Sequence, residues 1–398
     1  MKFDSNFNRK KLLINDNRVQ IDIFRGLAIV QVILYHSIFG YSSLSQRNDQ
    51  NILSITISLG EYCKFGPFIF FVISGFLMSS LYGSNLLKLE PENRKLIVKL
   101  YYVKRFARIY PLWIIFLILS YILFKLFDYG YFSLTSNSLN QINEFVLLAL
   151  GATFIYYFIS GIAAGWLVPG GWSIVSELIF YVTFPILRKM TLNSLLFSST
   201  LLIGVSYILK YLIYQDFLVV NKTSVIWAII YSGVESTIPF FILGIVISEL
   251  VNNAMKFPAL FYDKIFLLNL SLMLFCLILV DNISGQNSKT ILMIISTFVL
   301  GCLISKTRYI SKFIALMGTK SYFIYFVHFY IIDFFVFSLD QFKYIFINEF
   351  LTNTILILLF HIMVISVSLV LALFSSKLVE HPLQNIIMNK FVNYINKI

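Results

Sequence analysis

The chain has 398 residues, of which 59% are hydrophobic and 13% charged, and this excludes a water-facing globular surface of ordinary polarity. Its formal net charge of +12 does not point to nucleic acid, because Lys and Arg cluster between apolar segments and the aromatic residues sit inside those segments. Cys63, Cys276 and Cys302, each in or beside an apolar run, read as small buried hydrophobes and not as disulfides or metal ligands.

Residues 1–21 are polar and basic through Arg18 and are expected as a cytoplasmic amino-terminal segment. The first apolar run, 22–40, is followed by a polar loop with no small-residue cleavage pattern, so it reads as a retained helix and not a signal peptide. Further runs near the length of about 20 residues that crosses a hydrocarbon core follow at 65–82, 110–127, 172–189, 194–215, 228–250, 263–281, 290–305, 321–338 and 352–375. Runs this long and continuous suit helices, whose backbone polar groups pair internally, better than alternating strands. The expected fold is therefore all-α, a polytopic transmembrane bundle of about ten spans over residues 22–383, with a cytoplasmic tail at 384–398. An apolar stretch at 144–161 is settled by charge. If it does not cross, both termini are cytoplasmic and 23 basic residues lie inside, the largest groups being the amino terminus, the 83–108 loop, and Lys306, Arg308, Lys312 and Lys320, against 7 outside, with Arg25 within the first helix; if it crosses, the split becomes 16 against 14. The positive-inside bias favours the first arrangement, with 144–161 lying at the outer face or re-entering it. No internal repeat or linker marks a second domain.

Ionisable side chains within apolar spans are costly and mark candidate sites. Arg25 and His36 fall in FRGLAIVQVILYH. Eleven residues are three helical turns plus about 20°, so both lie on one face, roughly 16 Å apart along the axis. Taken singly, Arg25 reads as an interfacial anchor and His36 as a hydrogen-bonded helix contact; the shared face favours function. Glu177, in WSIVSELIFYVTFP, falls at a depth similar to His36, and a His with a carboxylate supplies a base and its orienting group. An interhelical Glu–His or Glu–Tyr bond without chemistry is the alternative. Trp172 and Tyr181 accompany Glu177 on the same motif, and His328, in GTKSYFIYFVHFY, is either a third candidate or a packed histidine. Arg105 and Arg108 in KRFARIYPLW stand one turn apart, a spacing that lets two guanidinium groups face one phosphate-rich ligand, although topology alone also accounts for their charge. Ser74, in FFVISGF, is small enough to permit close approach of a helix or ligand. Phosphate-cradling GxxxxGK, HExxH and GxSxG signatures are absent from the sequence, which argues against ATP-driven and zinc chemistry.

In order along the chain, FRGLAIVQVILYH, FFVISGFLM, KRFARIYPLW, WSIVSELIFY, IPFFILGI, GTKSYFIYFVH and LVEHPL resemble the motifs of acyltransferase family 3, the membrane acyltransferases that include bacterial O-antigen and other polysaccharide O-acetylases. The resemblance implies a multi-pass protein of the inner or plasma membrane. It implies transfer of an acyl group, usually acetyl, from cytoplasmic acyl-CoA to a hydroxyl of a glycan or glycolipid acceptor. It also implies that Arg25 and His36 are an essential pair, that Glu177 is an essential carboxylate, and that Arg105 and Arg108 contact the CoA phosphates. His328 and Glu380 match family positions of less defined role. Acetyl-CoA is then the donor co-substrate, no metal is expected, and the partners are acyl-CoA, the acceptor and membrane lipids, with no nucleic acid. The acceptor's identity and the oligomeric state are not encoded in any motif; acceptor choice is expected in the outer segments 41–62, 128–171 and 216–227. Two other classes remain open on the sequence. One is a transporter or translocase of a lipid-linked sugar, against which stands the lack of related halves; the other is an inactive scaffold, against which stands the joint presence of Arg25, His36 and Glu177.

Overall fold

The computed structural model describes residues 18–44, 60, 63–86, 91–127, 144–154, 167–214, 234–252, 287–341 and 354–395. The expected span at 263–281, Cys276, most of the amino-terminal segment, the acceptor segment 216–227 and most of 41–62 lie outside these residues. The described residues are all-α, with no strand among them. The helices are α1 (Arg18–Leu44), α2 (Gly66–Leu86), α3 (Pro91–Phe127), α4 (Glu144–Ala152), α5 (Gly171–Leu187), α6 (Leu192–Tyr214), α7 (Val234–Asn252), α8 (Asn287–Ile304), α9 (Arg308–Thr319), α10 (Ser321–Gln341), α11 (Thr354–Ser375) and α12 (His381–Ile395), with a π turn at Ser376–Glu380. Among the described residues, four stretches are long and apolar enough to cross a membrane by length and composition: Val19–Ile38, Lys95–Leu123, Ser321–Ser338 and Leu358–Phe391. Shorter apolar helices lie at Gly66–Tyr82, Gly171–Leu187, Leu192–Val205, Thr237–Val251 and Ile294–Ile304.

Three segments read as loop or tail are helical. Residues 83–108 were assigned to an inner loop by their charge, yet α3 begins at Pro91, a residue suited to the first helical position, and continues through Lys, Arg and Glu, which are good helix formers. The basic group between Lys306 and Lys320 forms α9, with Ser311, Met317 and Gly318 buried and Arg308, Tyr309 and Lys312 exposed. The tail from 384 is α12, which packs against α3. Cys302 is exposed on α8, contrary to the expected burial. The reason is general to this molecule: its outward faces are themselves apolar, as Val182 and Ile186 on α5 and Phe197 and Leu201 on α6 illustrate, so an apolar neighbourhood in sequence does not imply burial.

The chain divides into two compact bodies, residues 1–70 with 289–379, and 71–288 with 380–398. In the first, α1 is the central helix. It packs against α9, α10 and α11, and buries Ile23, Leu27, Ala28, Ile29, Val32 and Ile33. Apolar burial contributes little between helices in lipid, so close van der Waals packing must hold them. Two glycines provide it: a Cβ at Gly26 would run into the Ile314 carbonyl of α9, and one at Gly318 would run into the Asp22 carbonyl of α1. From α8, Thr297 accepts a 2.7 Å hydrogen bond from Gln31 of α1, and Phe298 stacks edge-on against Phe24.

In the second body α5 packs on α3 and α7, α6 on α7, and α4 on α3. The close approach is again glycine-mediated, since a Cβ at Gly75 of α2 would meet the Phe241 carbonyl of α7, and one at Gly244 the Val72 carbonyl. The nine-residue α4, about 14 Å long at the usual rise per residue, is fixed to α3 by a 2.9 Å hydrogen bond from the Trp113 indole to the Gly151 carbonyl. At the other end of α4, Lys125 pairs with Glu144 at 2.6 Å. Arg188, after α5, pairs with Glu249 of α7 at 2.7 Å.

Candidate active site

In the first body the site residues gather around α1. His36 is half-buried, and its Nδ1 lies 2.9 Å from the Val32 carbonyl one turn back. His328, on α10, is completely buried; its Nδ1 lies 3.0 Å from the Ile324 carbonyl and its Nε2 lies 3.2 Å from His36 Nδ1. Phe329 bounds both rings, at 4.3 Å from the His36 ring and 4.1 Å from the His328 ring. The sequence placed His36 and His328 as separate candidates; the fold brings them into contact across 292 positions. Arg25, three turns earlier on α1, has Asp22 at 3.9 Å, an acidic neighbour one turn away that the motif reading passed over.

The second cluster belongs wholly to the second body. It starts from a turn: Val168–Pro169–Gly170–Gly171 closes with a 2.9 Å bond from the Gly171 N–H to the Val168 carbonyl, and Gly170 stands at φ 74°, ψ 3°. These are the angles of the third residue of a type II turn, where glycine is favoured, and the turn sets the start of α5. Glu177 and Tyr181 follow one turn apart on that helix. The Tyr181 hydroxyl donates to Glu177 Oε1, and Ser74 of α2 donates to the same oxygen at 3.2 Å. Trp172, in the first turn, lies edge-on to Phe71 at 6.2 Å.

Pro185 explains why a further tyrosine converges here. Having no N–H, it leaves the Tyr181 carbonyl without its helical donor, and the Tyr101 hydroxyl of α3 donates to that carbonyl at 3.1 Å. The neighbouring Tyr102 hydroxyl donates to the Val182 carbonyl at 3.2 Å. One turn after Tyr101, the Arg105 guanidinium carbon lies 5.2 Å from the Tyr181 ring centroid, 5.9 Å from Tyr101 and 6.0 Å from Tyr82, and it hydrogen-bonds Tyr82. These distances are those of cation–π contact. Arg108 follows three residues after Arg105 on α3 and is half-buried. Sequence reading named Arg105, Glu177 and Tyr181 but missed Tyr82 and Tyr101; the four-residue spacings Tyr101 to Arg105 and Tyr181 to Pro185 were the available signals.

Glu380 stands in the π turn immediately before His381 and Pro382. A proline two residues after the turn cannot donate within the helix, and a widened turn accommodates the missing bond. The structure thus forms an imidazole pair around His36 in one body and an Arg–Tyr–Glu network around Glu177 in the other. No curated protein and no solved structure matches this chain. The family model described as an acyltransferase domain matches residues 18–373, and the chain belongs to that family, acyltransferase family 3, whose motifs its sequence carries in order.

Proposed function

We propose that this membrane acyltransferase moves an acetyl group from cytoplasmic acetyl-CoA to a hydroxyl of a cell-surface polysaccharide or its lipid-linked precursor. The observation that carries the reading is the half-buried His36, its imidazole seated against a buried His328 in a chain of acyltransferase family 3. His36 acts as the general base. The acceptor oxygen attacks the thioester carbonyl, the new C–O bond forms as the C–S bond breaks, and the proton taken by His36 passes to the departing CoA thiolate. Arg105 and Arg108 receive the phosphates of the donor. In support, Arg105 is held by tyrosine rings, which position a guanidinium without neutralising it, whereas Arg188 has its charge matched by Glu249. Glu177 is the second essential group, and Arg25 positions the donor or balances charge.

The test uses radiolabelled acetyl-CoA added to membranes carrying the full chain. Each hydroxylamine-labile ester formed in the glycan fraction should be matched by one CoA released. Movement of glycan across the membrane with no CoA release would favour a translocase instead.

A further inference from the structure

Three contacts around the histidine pair allow one consistent proton assignment. His328 Nδ1 faces the Ile324 carbonyl at 3.0 Å, and His36 Nδ1 faces the Val32 carbonyl at 2.9 Å. A bare ring nitrogen at either position would set a lone pair against a carbonyl oxygen, so both Nδ1 atoms carry hydrogen. The neutral His328 ring then has an unprotonated Nε2, and this atom is 3.2 Å from His36 Nδ1. The His36 Nδ1–H is accordingly shared between the Val32 carbonyl and His328 Nε2. The opposite assignment, with His328 Nε2–H donating to His36, would place two lone pairs against two carbonyls.

The consequence falls on the remaining nitrogen. With Nδ1 protonated, the lone pair of His36 is on Nε2, the nitrogen remote from His328, and His36 is the less buried residue of the two. His328 is completely buried, so it does not touch substrate. We propose that His328 is a positioning residue that fixes the tautomer and orientation of His36, so that Nε2 is the atom that takes the acceptor proton. On protonation the His36 ring becomes a donor at both nitrogens, and His328 Nε2 continues to accept from Nδ1–H with no rearrangement. A neutral imidazole here does the orienting work that a carboxylate does in many histidine-based sites, without placing a second charge inside the bundle.

This inference rests on the acyl-transfer reading, and the experiment separates the two. Full-length His328→Phe, His328→Gln and His36→Ala are compared with wild type in membranes, at equal insertion, with radiolabelled acetyl-CoA as the donor. Phe keeps volume without an acceptor; Gln places an amide oxygen near the position of Nε2. His328→Phe should lower kcat by about tenfold to a hundredfold with KM for acetyl-CoA unchanged, and His328→Gln should recover most of it. Equal losses in Phe and Gln, or wild-type kcat in His328→Phe while His36→Ala is inactive, would overturn the positioning role. Full activity in His36→Ala would instead overturn the acyl-transfer mechanism itself. Should His328→Phe insert poorly, His328→Gln decides alone: kcat near wild type supports the role, and a loss as deep as that of His36→Ala refutes it.

Discussion

In the first body His36 and His328 each turn to a carbonyl of their own helix and to each other, and α1, which carries His36, meets α9, the helix that leads into the α10 of His328, with backbone against backbone at Gly26 and Gly318. In the second, Arg105 and Glu177 depend on hydroxyls and rings contributed by other residues, Ser74 and Tyr82 on α2, Tyr101 on α3 and Tyr181 on α5. An imidazole is small and can be satisfied locally, so its placement depends on how closely helices approach. A guanidinium or carboxylate needs several donors, acceptors or rings, so its placement depends on individual side chains. The first site should therefore be sensitive to volume, and the second to the loss of single polar atoms.

The largest effect is expected from Gly318→Leu. The added side chain must displace α9 from the Asp22 carbonyl, costing about 3 kcal/mol or more, and the melting midpoint in detergent should fall by several degrees with loss of transfer. A variant with wild-type stability and activity would break the volume argument. A smaller and more selective effect is expected from Tyr101→Phe, which leaves the Tyr181 carbonyl buried without the donor that Pro185 cannot supply, at about 1–3 kcal/mol. Because Tyr101 also lies against Arg105, KM for acetyl-CoA should rise severalfold while kcat stays near wild type. A fall in kcat with KM unchanged would show that the tyrosines serve the reacting centre and not the donor, and would sharpen the comparison in the other direction.

The parts of this arrangement that could be read from the sequence are those set by one segment at a time. Apolar length gave helices, among them the run at 172–189 that is α5, Gly171–Leu187. Spacing within a motif put Arg25 and His36 on one face and Glu177 one turn from Tyr181. Pairings between segments were not legible. Hydropathy and charge place His36 and His328 at a depth in the membrane, but depth does not say which face of α10 meets α1, and the two rings are 292 positions apart. Charge also misled at α3 and α9, where basic residues were read as loop although their helix propensity is high and their apolar neighbours are spaced to pack.

The most direct test of the central claim is the rate of acetyl transfer by His36→Ala at saturating acetyl-CoA, in membranes where insertion and donor affinity match wild type. Removal of the general base should slow transfer by about a hundredfold to ten-thousandfold with KM for acetyl-CoA unchanged. Transfer at the wild-type rate would contradict the assignment of the proton to His36.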